Sequence, residues 1–197
     1  MNKTIDYYNT KAKEFYDRTI NADVKSSCRV FLENLPPQAH ILDAGCGVGR
    51  DSKYFLKEGY KVTAFDASME MAKLASTETG LTVKNLYFHE MDFDQKFDGV
   101  WAQASLLHVP YNETRMIYQK IHRALKPGGV FYASYKYGGD YMPTSDRNFW
   151  NMNEQNILPY LDKLFTVINI WKECDTRNKV ACGPNQVWLN FIVKKGV

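Results

Sequence analysis

The stretch Ile41-Leu42-Asp43-Ala44-Gly45-Cys46-Gly47-Val48-Gly49-Arg50-Asp51-Ser52 constrains this chain more than any other. An apolar run ends on a carboxylate, turns through glycines spaced G-x-G-x-G, and enters polar residues suited to a helix start. Strand, tight turn and helix in that order open an α/β unit. The dinucleotide fingerprint is G-x-G-x-x-G, with phosphates seated on the helix N-terminus. Here Arg50 follows the third glycine directly, and Asp43 stands two positions before the first. An acid at that point suits a ligand presenting positive charge rather than a pyrophosphate.

The rest of the chain repeats the alternation. Residues 6–35 are aromatic and polar, with helical spacing of Tyr8, Ala12, Phe15 and Tyr16, and Pro36-Pro37 closes them. Strands are expected over 39–43, 61–66, 82–91, 97–103 and 130–135. Helices are expected over 51–58, from Ser68 as cap, over 113–125 and over 154–163. Lys126-Pro127-Gly128-Gly129 reads as a turn, and 136–151 as a loop rich in Gly, Tyr and polar residues. Two β-rich runs, 165–173 and 187–193, leave no room for a crossover helix and should pair as a hairpin. The fold class expected is α/β. It is a single doubly wound domain with a seven-stranded, mostly parallel sheet whose last strand is antiparallel, and residues 1–38 form a helical cap or lid.

Composition narrows the partners. The 197 residues carry a net charge of +3 without a long basic run, which gives no electrostatic case for nucleic acid. Cys28, Cys46, Cys174 and Cys182 lie far apart and read as reduced thiols of a cytoplasmic protein. No apolar run is long enough to span a bilayer, and no ligand cluster suggests a metal.

In an open sheet of this kind, ligands sit beyond the carboxyl ends of the strands. The candidate binding residues are therefore Asp43, Ala44, Gly45, Cys46, Gly47 and Gly49 after the first strand, and Asp66, Ala67 and Ser68 after the second. Met91, Asp92 and Phe93 follow the third, and Gln103 and Ala104 the fourth. A carboxylate at Asp66 can accept two hydrogen bonds from the vicinal hydroxyls of a ribose. Met91-Asp92-Phe93 offers an acceptor for an exocyclic amine and a wall for a flat base.

With these segments in order, the chain resembles the class I S-adenosylmethionine-dependent methyltransferases, strongly over 39–135. The segments Asp43–Ser52 and Ser105-Leu106-Leu107-His108-Val109-Pro110 are similar to small bacterial tellurite-resistance-like members. The resemblance implies a Rossmann-like fold and S-adenosyl-L-methionine as cofactor, with S-adenosyl-L-homocysteine as product. It implies that Gly45 to Gly49 line the methionine part, Asp66 the ribose and Asp92 the adenine, with Asp43 contacting the amino group directly or through water. The kinship does not make tellurite the acceptor.

Methyl transfer is an in-line displacement that needs donor and acceptor held about 3 Å apart with water excluded. A hydroxyl or protonated amine acceptor also needs a base, for which His108 and Tyr137 are candidates. Tyr7, Tyr8, Phe15 and Tyr16 could form a lid, and the basic, aromatic segment of Tyr135, Lys136, Tyr137 and Arg147 suits a small polar acceptor. Two alternatives stand beside this reading: a protein or RNA acceptor gripped with a partner chain, and a cofactor-binding module without catalysis.

Overall fold

The computed structural model describes residues 2–175 and 187–196. Three short helices come first, α1 (Lys3–Thr10), α2 (Ala12–Thr19) and α3 (Lys25–Leu32). The alternating part follows as β1 (His40–Ala44), α4 (Arg50–Lys57), β2 (Lys61–Asp66), α5 (Met69–Thr79), β3 (Lys84–Asn85), β4 (Phe97–Ala102), α6 (Tyr111–Ala124) and β5 (Leu125–Lys136). Then come β6 (Tyr141–Pro143), β7 (Asn148–Trp150), α7 (Glu154–Leu161), β8 (Phe165–Cys174) and β9 (Val187–Lys195).

Local chemistry sets these boundaries. The Ser68 hydroxyl accepts the Met71 N–H at 3.2 Å and starts α5. Along α6 the buried residues Thr114, Ile117, Tyr118, Ile121 and Ala124 recur every three or four positions, giving one apolar face for the sheet. β1 is apolar on both faces because both are covered. Leu42 packs with Val100, Phe131 and Tyr118 on one side, and Ile41 with Phe31, Phe55 and Trp101 on the other.

The main sheet has the order β3-β2-β1-β4-β5-β9-β8. Strands β3 through β5 pair in parallel, while β9 runs antiparallel to both β5 and β8. This is the expected doubly wound, mostly parallel sheet with an antiparallel last strand. Winding reverses between β1 and β4, which opens a crevice beyond their carboxyl ends.

Several expectations need correction. The third strand, expected over 82–91, pairs only at Lys84–Asn85. After Leu86 donates to the Asp66 carbonyl, the chain leaves the sheet edge in a short 3-10 turn, Phe88–Glu90. The Glu90 carboxylate closes that turn by accepting the Tyr87 N–H at 2.8 Å. The presumed loop 136–151 contains the β6–β7 hairpin, in which Tyr141 faces Trp150. Strand pairing also begins earlier than expected in β5, at Leu125 opposite Phe97, with an irregularity before Gly99 meets Val130. Cys28 and Cys46 are free thiols, but Cys174 is disulfide-bonded. It ends β8 at the mouth of the terminal hairpin, and linear spacing does not reveal such proximity. Cys182 lies outside the described residues. No helix among the described residues is long and apolar enough to cross a membrane.

Candidate functional site

A cavity of ≈ 700 Å³ opens beyond the carboxyl ends of β1, β2 and β4 and is roofed by α1. Its size lies within the roughly 300–1,000 Å³ of small-molecule sites. Asp43, Gly45, Cys46, Gly47, Asp66, Ala67, Gln103, Ala104 and His108 all line it, so one hollow gathers residues from the ends of three strands.

The glycine turn is fastened to β2. The N–H groups of Gly45 and Cys46 both donate to the Phe65 carbonyl, at 2.9 and 3.0 Å. Gly47 N–H donates to one oxygen of Asp66 and Ser68 N–H to the other, each at 2.8 Å. Gly45 has φ +77°, and a Cβ there would lie 2.5 Å from Ser105 Cβ. The turn therefore closes against the β4 end only with glycine at this position.

Two carboxylates dominate the electrostatics. Burial pushes Asp66 up to about 6, against the lowering effect of its two backbone donors. Asp43 is 2 % exposed and accepts the Ser52 hydroxyl at 2.6 Å. Burial first, and then the neighbouring Asp51, hold Asp43 well above the usual carboxylate range. The oxygen Oε1 of Gln103, on the cavity wall, is buried and has no hydrogen-bond partner among the described residues. Acceptors that cost free energy in the empty chain gain it back from a ligand carrying N–H, O–H or positive charge.

Some predicted residues stand behind or away from the lining. Ala44 is fully buried, and its carbonyl accepts the Ser105 hydroxyl. Gly49 caps α4 with φ +84°, where a Cβ would meet Ala75 Cα at 3.1 Å, so it sets the approach of α4 to α5. Ser68 caps α5 and donates to Asn9 Oδ1 at 2.8 Å. Met91 is core at 1 % exposure. Asp92 is a surface residue paired with Arg123 at 3.0 Å, and Phe93 packs edge-on to Phe97 between Lys84 and Lys96. The 3-10 turn puts Tyr87, Phe88 and His89 at the cavity instead, and by Met91 the chain has turned away. The aromatic run Tyr87-Phe88-His89 was the available signal for this wall.

Tyr137 also lies off the cavity. Following β5, its backbone N–H bonds to the Val187 carbonyl, its hydroxyl donates to Glu154 at 3.1 Å, and Lys172 sits 4.7 Å from its ring. His108 does line the cavity. Its Nδ1 lies 2.7 Å from the Asn148 carbonyl, which can only accept, so Nδ1 carries the hydrogen. Nε2 then accepts from the Tyr8 hydroxyl at 3.0 Å. Burial lowers His108 to about 4 and raises Tyr8 above its ordinary value, so imidazole and phenol are both neutral near pH 7.

The N-terminal helix is held over this hollow from both sides. Thr4 Oγ1 accepts the Asn148 N–H at 3.1 Å, Lys3 donates to the Thr144 carbonyl at 2.7 Å, and the Arg147 guanidinium lies 4.2 Å from the Tyr7 ring centre. On the far side, Asn9 Oδ1 accepts from Ser68 and from Glu70 N–H. Among the described residues no group of three or more His, Cys, Asp or Glu could hold a metal ion.

A sheet of this order, with an acid-flanked glycine turn at its switch point, is a Rossmann-like arrangement. Residues 41–129 match the family model described as a methyltransferase domain. The chain is 31 % identical over 129 residues to a 2-methyl-6-phytyl-1,4-hydroquinone methyltransferase of Synechocystis, covering 60 % of this chain and 38 % of that protein. It is 26 % identical over 172 residues to an uncharacterized methyltransferase of Staphylococcus carnosus, covering 78 % and 83 %. The hydroquinone, sterol and squalene methyltransferases it matches are larger, and the matched part is 27–39 % of their length. Among solved structures, the Burkholderia thailandensis 1,6-didemethyltoxoflavin-N1-methyltransferase superposes with a TM-score of 0.77 at 24 % identity, covering 98 % of this chain and 85 % of that one. That structure holds 1,6-didemethyltoxoflavin and S-adenosylhomocysteine. Over the matched residues the chain is thus similar to methyltransferases.

Proposed function

We propose that this chain transfers a methyl group from S-adenosylmethionine to a small polar acceptor held in the same cavity. The observation that carries the proposal is the meeting of Asp43, the glycine turn and Asp66 along one wall of a ≈ 700 Å³ hollow at the topological switch point.

The residues fit that cofactor. Each Asp66 oxygen holds one backbone N–H and keeps lone-pair capacity for a ribose hydroxyl. Asp43 and the unpartnered Gln103 oxygen suit an ammonium group, and Phe88 with its neighbours suits a flat base. When bound, S-adenosylmethionine supplies a methyl group on a sulfonium, which is its own leaving group. The chain's task is then to hold the acceptor in line and exclude water, which α1 does as a roof.

Proton handling falls to Tyr8 and His108. The Tyr8 oxygen can take a proton from the acceptor while its own proton passes to His108 Nε2, and Asn148 fixes the ring from behind. An imidazole lowered to about 4 is a weak base. It suits an acceptor whose proton becomes acidic as the methyl group arrives, such as a nitrogen. The lining by Ile5, Val109, Pro110 and Trp150 suits a compact acceptor with an apolar part.

The test is transfer of labelled methyl from S-adenosylmethionine into a cell extract. Label in the low-mass fraction is the expected result. Label confined to protein or RNA overturns the small acceptor, and no label in any fraction supports the non-catalytic alternative.

A further inference from the structure

The Arg50 side chain lines the cavity beside Asp43 and Asp51 and is only 18 % exposed. Its Nε donates to one oxygen of Asp51 at 2.6 Å. The other Asp51 oxygen accepts the Trp101 indole N–H at 2.9 Å. Trp101 is itself fully buried, and stacked on Tyr132 with ring centres 3.9 Å apart.

A guanidinium and a carboxylate left to themselves favour a two-pronged fork. Here Trp101 occupies the second acceptor, so Arg50 is gripped by its Nε edge alone. Its guanidinium makes no other hydrogen bond among the described residues. Its two terminal nitrogens carry four coplanar N–H donors with no hydrogen bond among the described residues, and the residue lines the cavity. Asp51 and Asp66 would repel an anion at this end of the hollow, and Arg50 is the cation set beside them. Lys3, also on the wall, is committed to the Thr144 carbonyl.

We propose that the free end of Arg50 receives the α-carboxylate of the cofactor's methionine part, with Asp51 and Trp101 as the positioning residues that aim it. This rests on the reading that the cavity binds S-adenosylmethionine. The ligand then meets both signs of charge at one end: carboxylate on Arg50, ammonium on Asp43 and Gln103. It also gives a physical reason for arginine rather than a further glycine after the turn.

The experiment compares two ligands that differ only in that group, S-adenosylmethionine and its decarboxylated form, by equilibrium binding to the full chain. Arg50→Gln should weaken S-adenosylmethionine roughly 10- to 100-fold, the scale of a lost charge-assisted pair. It should change binding of the decarboxylated form by less than about threefold. Arg50→Lys keeps the charge and loses the fork, and should fall between, which carries the comparison if the glutamine variant does not fold. Equal weakening of both ligands, or unchanged binding of S-adenosylmethionine, overturns the assignment. A wild-type chain that binds neither ligand overturns the cofactor reading itself, and does so before any variant is made.

Discussion

Tyr8 and His108, separated by 100 positions, share a hydrogen bond of 3.0 Å from the phenol to Nε2. That bond joins the roof of the cavity to the loop after β4 and fixes the imidazole tautomer, because Asn148 holds the other ring nitrogen. The first helix is thus part of the site as well as its cover.

Tyr8→Phe keeps the ring and removes the hydroxyl. If the proton route runs through this pair, kcat should fall about 100-fold while cofactor affinity stays within about threefold. Steady-state kinetics with a purified acceptor would check this, and a matching fall in His108→Asn with no further fall in the double variant would show that the two act together.

The pH dependence of cofactor binding should be set by Asp66. Its carboxyl sits at about 6 in the folded chain, against an ordinary 3.8. Below about 6 it gains a proton and loses acceptor capacity, so S-adenosylhomocysteine affinity should fall by up to about tenfold per pH unit. The same shift means that ionised Asp66 costs the ligand-free chain stability. That cost is absent below 3.8 and complete above about 6. Titration calorimetry at a series of pH values would show an inflection near 6 in the wild type that is lost in Asp66→Asn. His108, lowered to about 4, should contribute no step near 6.5.

The glycine turn makes a packing prediction. Gly49→Ala forces φ +84° on a residue with a Cβ and drives that carbon to 3.1 Å from Ala75 Cα. Backbone atoms of α5 cannot swing aside as a side chain does. The variant should lose about 1–3 kcal/mol, read as a lower urea midpoint at unchanged slope.

The sheet was legible because β1, β2, β4 and the terminal hairpin each carry a strong local signal bounded by Gly, Pro or a capping Ser. The cavity wall beyond β3 was not. Sequence placed it at Met91-Asp92-Phe93, on the assumption that the third strand runs on to residue 91. Pairing stops at Asn85, since an edge strand has one neighbour and the Glu90–Tyr87 bond makes a turn the cheaper course. Asp92 was then free to pair with Arg123 on the surface. Tyr137 misled for a similar reason: its position after β5 was right, but Glu154 and Lys172 draw the side chain to the α7 side. The contacts of α1 with residues 144–150 depend on pairings 140 or more positions apart, which no local pattern encodes.

These two placements can be separated by substitution. Asp92→Ala breaks an exposed ion pair and should leave cofactor affinity unchanged and stability within about 0.5 kcal/mol. Phe88→Ala removes an aromatic face from the cavity wall and should weaken S-adenosylhomocysteine by roughly tenfold, the scale of a lost base–aromatic stack. Binding titrations of the two variants side by side check the assignment, and the reverse order of effects would restore the earlier one.

The central claim is that the acid-flanked glycine turn and Asp66 together hold S-adenosylmethionine, and calorimetric titration with S-adenosylhomocysteine tests it most directly. The wild-type chain should show saturable binding at one site per chain, and Asp66→Ala should bind at least about tenfold more weakly, the scale of hydrogen bonds lost to a charged group. Absence of saturable heat in the wild type, or equal affinity in the two proteins, would contradict it.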